Sequence, residues 1–325
     1  MISAPSRALE LQARPPMSDD ARTLCLRTLA QGSKSFAFAG RLLPAETRRD
    51  AATLYTFCRR VDDAIDDAPQ GEAHRALLGL QQRVRAVYQG EPQHEVAWQA
   101  FAELVRAVEL PARYPNELLA GMEMDVVGVR YETLDDLLLY CHRVAGVVGL
   151  MMCHVLKIEH DQALRNAAHL GIALQLTNIS RDVAEDWQLG RLYVPRSVLR
   201  AAGIEFLRSE LGRPLPSRAA VPLSRCVRQL LALADRFYRS ADAGLAALPW
   251  RSAFAIRTAR AVYARIGGRL RARVVAAPWF LPTRSSPCWP ALPSLAWQSC
   301  RYVACAVQRI GCRSASCNFP STYCR

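Results

Sequence analysis

The chain has no acidic residue after Asp242, although it runs to 325 residues. That absence removes the obvious reading of its formal net charge of +13 as a nucleic-acid footprint. Twelve of the 42 Lys and Arg follow Asp242, which leaves 30 basic against 29 acidic residues before it. The main body is electrically ordinary, no groove-reading motif is legible, and no nucleic-acid partner is expected. Also missing is an uncharged apolar run of the roughly 18–20 residues needed to span a bilayer. The longest candidate, Val144 to Leu156, stops at 13 residues and includes His154. No apolar signal segment is legible at the start, so the expected location is cytoplasmic. Convincing period-2 alternation is absent as well, which excludes a sheet and leaves an all-α fold. Close CxxC pairs are missing too, which argues against a zinc site. Of the 11 cysteines, Cys25, Cys58, Cys141, Cys153 and Cys226 are scattered through helical pattern and read as buried free thiols. The other six crowd the last 38 residues.

What the chain does have is two polar stripes inside apolar helices. In the stretch from Tyr55 to Asp67, Tyr55, Arg59, Asp62 and Asp66 fall on one narrow helical face. Leu54, Phe57, Cys58, Val61 and Ile65 form an apolar stripe beside it. Two acids one turn apart bring their Cβ atoms to roughly 5–6 Å, close enough to share hard cations through oxygen ligands and water. Alone this pattern is common on solvated helices. It is repeated 120 positions later, where Gln175, Asn178, Asp182 and Asp186 again line one face among Ala173, Leu174, Leu176, Ile179 and Val183. Such a stripe in a core-like helix is costly unless something satisfies it. Two stripes facing each other could hold magnesium, which takes one or two carboxylates per ion and completes its shell with water and substrate phosphate.

The remaining chain reads as helices. Residues 1–16 show no period and are expected to be a disordered extension; Met17-Ser18-Asp19-Asp20 opens a helix over Ala21 to Ala30. Gly32-Ser33-Lys34-Ser35-Phe36 is either a simple N-cap or an anion-binding helix start. Further helices are expected over 45–66, 73–89, 94–108, 134–156, 161–187, 223–247 and 250–270, with a proline-containing connector over 209–222. On helix 134–156, Tyr140, Val144, Val147 and Met151 make an apolar stripe fit for a hydrocarbon wall or an ordinary core. Gly146 and Gly149 there cost about 1 kcal/mol each against alanine, so close packing or a ligand is expected. Gly190-Arg191-Leu192-Tyr193-Val194-Pro195 reads as a flap beside the second stripe. From about residue 274, prolines and the six cysteines replace any helical period, and this tail is expected to lie outside the fold.

SKSF (33–36), YTFCRRVDDAID (55–66), GMEMDVVGVRYETLDDLLLYCHRVAGVVGLM (121–151) and LQLTNISRDVAEDWQLGRLYVP (174–195) together resemble the phytoene/squalene synthases, head-to-head prenyl transferases. The resemblance covers Ser33 to about Arg273 and is strongest to the bacterial phytoene-forming members. It implies an isoprenoid-synthase helical bundle around a central cavity. By that resemblance Asp62, Asp66, Asp182, Asp186 and Asn178 would bind Mg²⁺ or Mn²⁺. Arg59, Lys34, Ser35, Asn178, Arg181 and Arg191 match positions near the substrate diphosphates. Tyr55, Tyr140, Val144, Gly149 and Gln175 match the wall of the prenyl channel. His142-Arg143 departs from the more usual aromatic pair. The implied reaction joins two geranylgeranyl diphosphates to phytoene without NADPH. The implied partners are a prenyl diphosphate, a membrane surface touched peripherally, and a downstream desaturase. Three readings compete: squalene or dehydrosqualene synthesis from farnesyl diphosphate, a head-to-tail synthase suggested by Asp62-Asp63-Ala64-Ile65-Asp66, and a non-catalytic assembly protein of the same fold.

Overall fold

The computed structural model describes residues 18–69, 71–204 and 210–276, and among these it contains helices and turns but no strand. The extension expected over 1–16 and the six tail cysteines lie outside the described residues.

Local chemistry sets the first boundaries. Helix α1 (Asp19–Gly32) starts where the Ser18 hydroxyl accepts from the Ala21 N–H at 3.2 Å, with Asp19 and Asp20 in the first turn. Ser33 caps α2 (Lys34–Gly40) in the same way, accepting from Phe36 N–H at 3.2 Å. After Pro44 comes α3 (Ala45–Asp66), with the expected bounds. It is followed by α4 (Ala73–Tyr88), α5 (Val96–Ala107) and α6 (Arg113–Val127), which ends at Gly128 in the left-handed conformation that glycine adopts without strain.

The expected helix over 134–156 is present and carries a π turn in its middle. A capping box between Thr133 and Asp136 opens α7 (Leu134–Cys141). A π-helical turn, His142–Gly146, follows, with the Val147 N–H reaching back to the His142 carbonyl before α8 (Val147–Val155) resumes. This continuous run, Leu134–Val155, is long and apolar enough by composition to cross a bilayer. Leu137, Cys141 and Met151 are nonetheless fully buried in the protein core.

Next are α9 (Asp161–Gln188) and α10 (Arg196–Ala201). The connector expected to reach 222 is shorter, because α11 (Ser217–Gly244) starts earlier and holds Pro222 inside. Pro222 is the sixth residue of this helix, past the four N–H groups that lack intrahelical partners, so it forfeits one backbone bond, the one to the Arg218 carbonyl. A 3₁₀ turn (Leu245–Ala247) leads to α12 (Trp250–Ala276), which continues past the expected end at residue 270.

The core divides into two large parts and a small one, in which Ala21, Cys25 and Leu29 of α1 meet Ala52 of α3 and Ala100 of α5. One large part is built around α3 to α6 and α8, where Phe57 stacks on Phe101 at 3.8 Å between ring centres and Trp98 meets both edge-on. The other is built around α7, α9, α11 and α12, with α9 against α11 as its largest interface. Val144 in the π turn packs against both, and α8 touches α3 on one side and α9 on the other. Each polar stripe therefore lies on the central helix of one half of the bundle.

The glycines at this junction serve packing. A Cβ at Gly149 would collide with the Ala167 carbonyl, and one at Gly171 with the Ala145 carbonyl. The backbones of α8 and α9 touch there, so the expectation of close approach resolves to a helix neighbour.

Candidate active site

On α3, Asp62 is half-buried and Asp66 is exposed one turn further on. Burial pushes the Asp62 carboxyl up to about 7; Asp66, Asp63 and Asp125 push the same way against the guanidinium of Arg59. Arg59 itself pairs with Asp63 at 2.6 Å. Tyr55, half-buried, places its hydroxyl against Gly32 at the end of α1, where a Cβ would collide with it.

On α9, Asp182 is 3% exposed and is held by its sequence neighbour Arg181, whose Nε donates to Oδ1 at 2.6 Å and Nη2 to Oδ2 at 2.5 Å. Burial opposes the charge on Arg181, but the Asp182 contact outweighs it and keeps the guanidinium protonated. Asn178 donates from Nδ2 to Gln175 Oε1 at 3.4 Å. Its own Oδ1 is buried and has no hydrogen-bond partner. An orphaned hard oxygen of this kind costs about 1–3 kcal/mol unless it is given a ligand.

One residue joins the two stripes. The Arg191 N–H donates to the Asp186 carbonyl at 2.7 Å, continuing from the end of α9. Its guanidinium then reaches Asp66 Oδ1 at 3.3 and 3.4 Å. The loop expected to be a flap thus follows directly on α9 and touches α3 through the Arg191–Asp66 pair. Lys34 is exposed and Ser35 half-buried on α2, after a cap that Ser33 satisfies. Tyr140 turns its hydroxyl to Asp125 rather than to an apolar wall, while Val147 and Met151 are core residues. His142 and Arg143 belong to the π turn, and Arg143 pairs with Glu117 at 3.0 Å.

Two residues at this site went unassigned in the sequence. Asp125, in the last turn of α6, accepts from the hydroxyls of Tyr140 and Tyr193 and lies in the field of Asp62, Asp66 and Arg191. Burial raises its carboxyl, and the two phenol hydrogen bonds lower it. An acid at a helix C-terminus is opposed by the dipole, and that was the available signal. Tyr263 of α12 stacks on Phe36 at 5.6 Å, and Phe36 meets Tyr55 edge-on at 6.4 Å. Tyr263 also lies in the field of Arg181 and Asp182. No pattern in its Arg- and Ala-rich helix marked it.

A cavity of about 140 Å³ opens between the Gly128–Tyr131 and Gly190–Val194 loops, bordered by Asp125, Arg130, Arg191 and Tyr193. Among the described residues, no three His, Cys, Asp or Glu side chains converge into a metal-binding group. Asp62 and Asp66 crowd one another on α3, and on α9 the Asn178 amide oxygen lacks a partner; each is a hard oxygen of the kind a divalent cation takes.

The family model for squalene/phytoene synthase matches residues 29–281. A 15-cis-phytoene synthase of Pantoea ananas is 43% identical over 251 residues, covering 74% of this chain and 80% of that protein. A phytoene synthase of Pseudescherichia vulneris is 40% identical over 269 residues, covering 80% and 84%. Among solved structures, a dehydrosqualene synthase in complex with ligand matches with a TM-score of 0.75 at 24% identity, covering 90% of this chain and 98% of that one. A squalene synthase from Alicyclobacillus acidocaldarius gives 0.70 at 24% identity, covering 78% and 94%. At that identity the two structures establish the fold alone. The described helices and the matched segments agree, and the chain belongs to the squalene/phytoene synthase family.

Proposed function

We propose that this chain condenses two geranylgeranyl diphosphates head to head, through prephytoene diphosphate, into phytoene. The observation that carries the reading is Arg191, tied to both acid-bearing helices through the Asp66 carboxylate and the Asp186 carbonyl. The relatives that are 38–44% identical are phytoene synthases, which supports the C20 substrate over farnesyl diphosphate.

Asp62, Asp66, Asp182, Asp186 and Asn178 would hold Mg²⁺ or Mn²⁺. Such an ion neutralises the leaving diphosphate at the allylic carbon. Arg191 and Arg181 add fixed positive charge at the same end, and Lys34, Ser35 and Arg59 stand at its edge. Arg59 would have to exchange Asp63 for the substrate. Loss of the first diphosphate leaves an allylic cation, which the double bond of the second chain attacks, and loss of a first proton closes the cyclopropane ring of an intermediate that keeps the second diphosphate. A second ionisation, rearrangement and loss of one proton complete the reaction, releasing two diphosphates in all. By the family resemblance Val144, Tyr55, Gln175 and the ring of Tyr140 would border the prenyl chains and exclude water from the cations, with the Tyr140 hydroxyl held by Asp125, while Gly149 serves that wall only by letting α8 approach α9.

The catalytic domain spans residues 17–273 in this proposal, extended by the last turn of α12. The long-chain substrate and product place the working surface at a membrane, touched peripherally, where a desaturase can receive the product. Incubating pure protein with geranylgeranyl diphosphate and Mg²⁺ should give phytoene by chromatography. Product from farnesyl diphosphate alone would instead favour the squalene or dehydrosqualene reading.

A further inference from the structure

Asp125 stands where the end of α6 disfavours a carboxylate, and its contacts give it a task. Its Oδ2 accepts from the Tyr140 hydroxyl at 2.9 Å and its Oδ1 from the Tyr193 hydroxyl at 2.8 Å. Charge-assisted hydrogen bonds to a carboxylate are about twice as strong as neutral ones. Three segments far apart in sequence thus meet at one side chain: α6, α7 and the Gly190–Pro195 loop. The Tyr140 and Tyr193 rings stack at 5.1 Å, and Tyr131 packs on them at 5.5 and 6.0 Å.

The loop has other anchors, but they lie elsewhere along it. Arg191 N–H bonds to the Asp186 carbonyl at one end, and Arg196 N–H to the Tyr131 carbonyl at the other. Val194 is buried in the core. Between these points the Tyr193 hydroxyl supplies the polar tie on the side that faces the acids, two residues from Arg191. The pair it supports is open to solvent: Arg191 is 41% and Asp66 61% exposed, so by itself that pair contributes at most about 1 kcal/mol. Something else has to hold the guanidinium in place.

We propose that Asp125 is a positioning residue whose carboxylate clamps Tyr193 and thereby holds the 190–195 loop where Arg191 reaches Asp66. The clamp rests on geometry; its consequence for turnover rests on the phytoene-forming reaction proposed above. Tyr140, the other arm, fixes the carboxylate's orientation without touching the loop backbone.

Hydrogen exchange of the full chain, read by mass spectrometry, tests the clamp without any need for activity. Peptides covering 188–196 should exchange about tenfold faster in both Asp125→Ala and Tyr193→Phe, while peptides from the middle of α11 keep the wild-type rate. Tyr140→Phe should leave the 188–196 peptides at the wild-type rate. In turnover, Asp125→Ala and Tyr193→Phe should raise KM for geranylgeranyl diphosphate more than they lower kcat. Wild-type exchange of the loop in Tyr193→Phe overturns the clamp, even if Asp125→Ala proves too unstable to prepare. Faster loop exchange in both variants, together with a wild-type protein that never converts geranylgeranyl diphosphate, would uphold the clamp and sink the reaction assigned to the site.

Discussion

Arg191 places its guanidinium 3.3 Å from the Asp66 carboxylate across a separation of 125 residues. Both groups are substantially exposed, so the contact contributes little to stability and its meaning is positional.

Replacing Arg191 with alanine should therefore leave the thermal midpoint nearly unchanged, within about 0.5 kcal/mol of wild type. The same change should lower kcat/KM about 100-fold or more, through loss of charge beside the leaving diphosphate. Lysine should restore only part of it, because one ammonium cannot present a planar fork. Steady-state kinetics with calorimetry on the same preparations checks both halves, and a fully active alanine variant would remove Arg191 from the site.

Asp62 gives a pH signature. Its carboxyl is pushed up to about 7, by burial first and then by Asp66. A carboxyl raised on folding stabilises the protein in its protonated form. That contribution is present below the unfolded value, about 4, and is lost as pH rises through about 7. Without divalent ions, thermal stability should fall over that window, and Asp62→Asn should flatten the fall while abolishing turnover. Mg²⁺ should raise the midpoint of the wild type more at pH 8 than at pH 5. Equal shifts at both pH values would count against Asp62 as a ligand.

Asn178 carries a buried acceptor with nothing to accept from. Asn178→Leu should stabilise the metal-free protein by about 1 kcal/mol, because the unsatisfied oxygen is removed at similar volume. The Mg²⁺ concentration for half-maximal activity should rise about tenfold, the effect of losing one weak oxygen ligand. Titrating activity against Mg²⁺ decides it; an unchanged midpoint would exclude Asn178 from the ion's shell.

Gly171 tests the packing of the two halves. Alanine has the better helix propensity by about 1 kcal/mol, yet its Cβ would strike the Ala145 carbonyl in the π turn. Gly171→Ala should destabilise by about 2–3 kcal/mol, an overpacking cost against rigid backbone. Urea unfolding followed by circular dichroism measures it, and a stabilised variant would show that the two helices can separate freely.

Much of this was legible in the sequence because helical periodicity survives wherever one face is buried. The bounds of α3 and the stripe Tyr55–Arg59–Asp62–Asp66 follow directly from spacing. What stayed hidden depended on partners. Arg59 sits on the stripe, but Asp63 captures it one turn away. Arg181 and Asp182 look like separate ligands in the sequence and are one ion pair in the fold. Tyr140 scores as apolar wall until Asp125 appears opposite its hydroxyl. Tyr263 comes from a helix whose period says only that it is amphipathic, and tertiary placement alone brings it to Phe36 and Asp182.

The widened turn at His142–Gly146 makes chain length a structural variable here. Deleting one residue from it would convert it to ordinary helix, and because the extra residue is absorbed within the widened turn, α8 would keep the face it presents to α9. The same deletion inside regular α-helix would rotate everything downstream by about 100° and swing Gly149 away from Ala167. Of all the positions along Leu134–Val155, this turn is thus the one where a single-residue gap is tolerated.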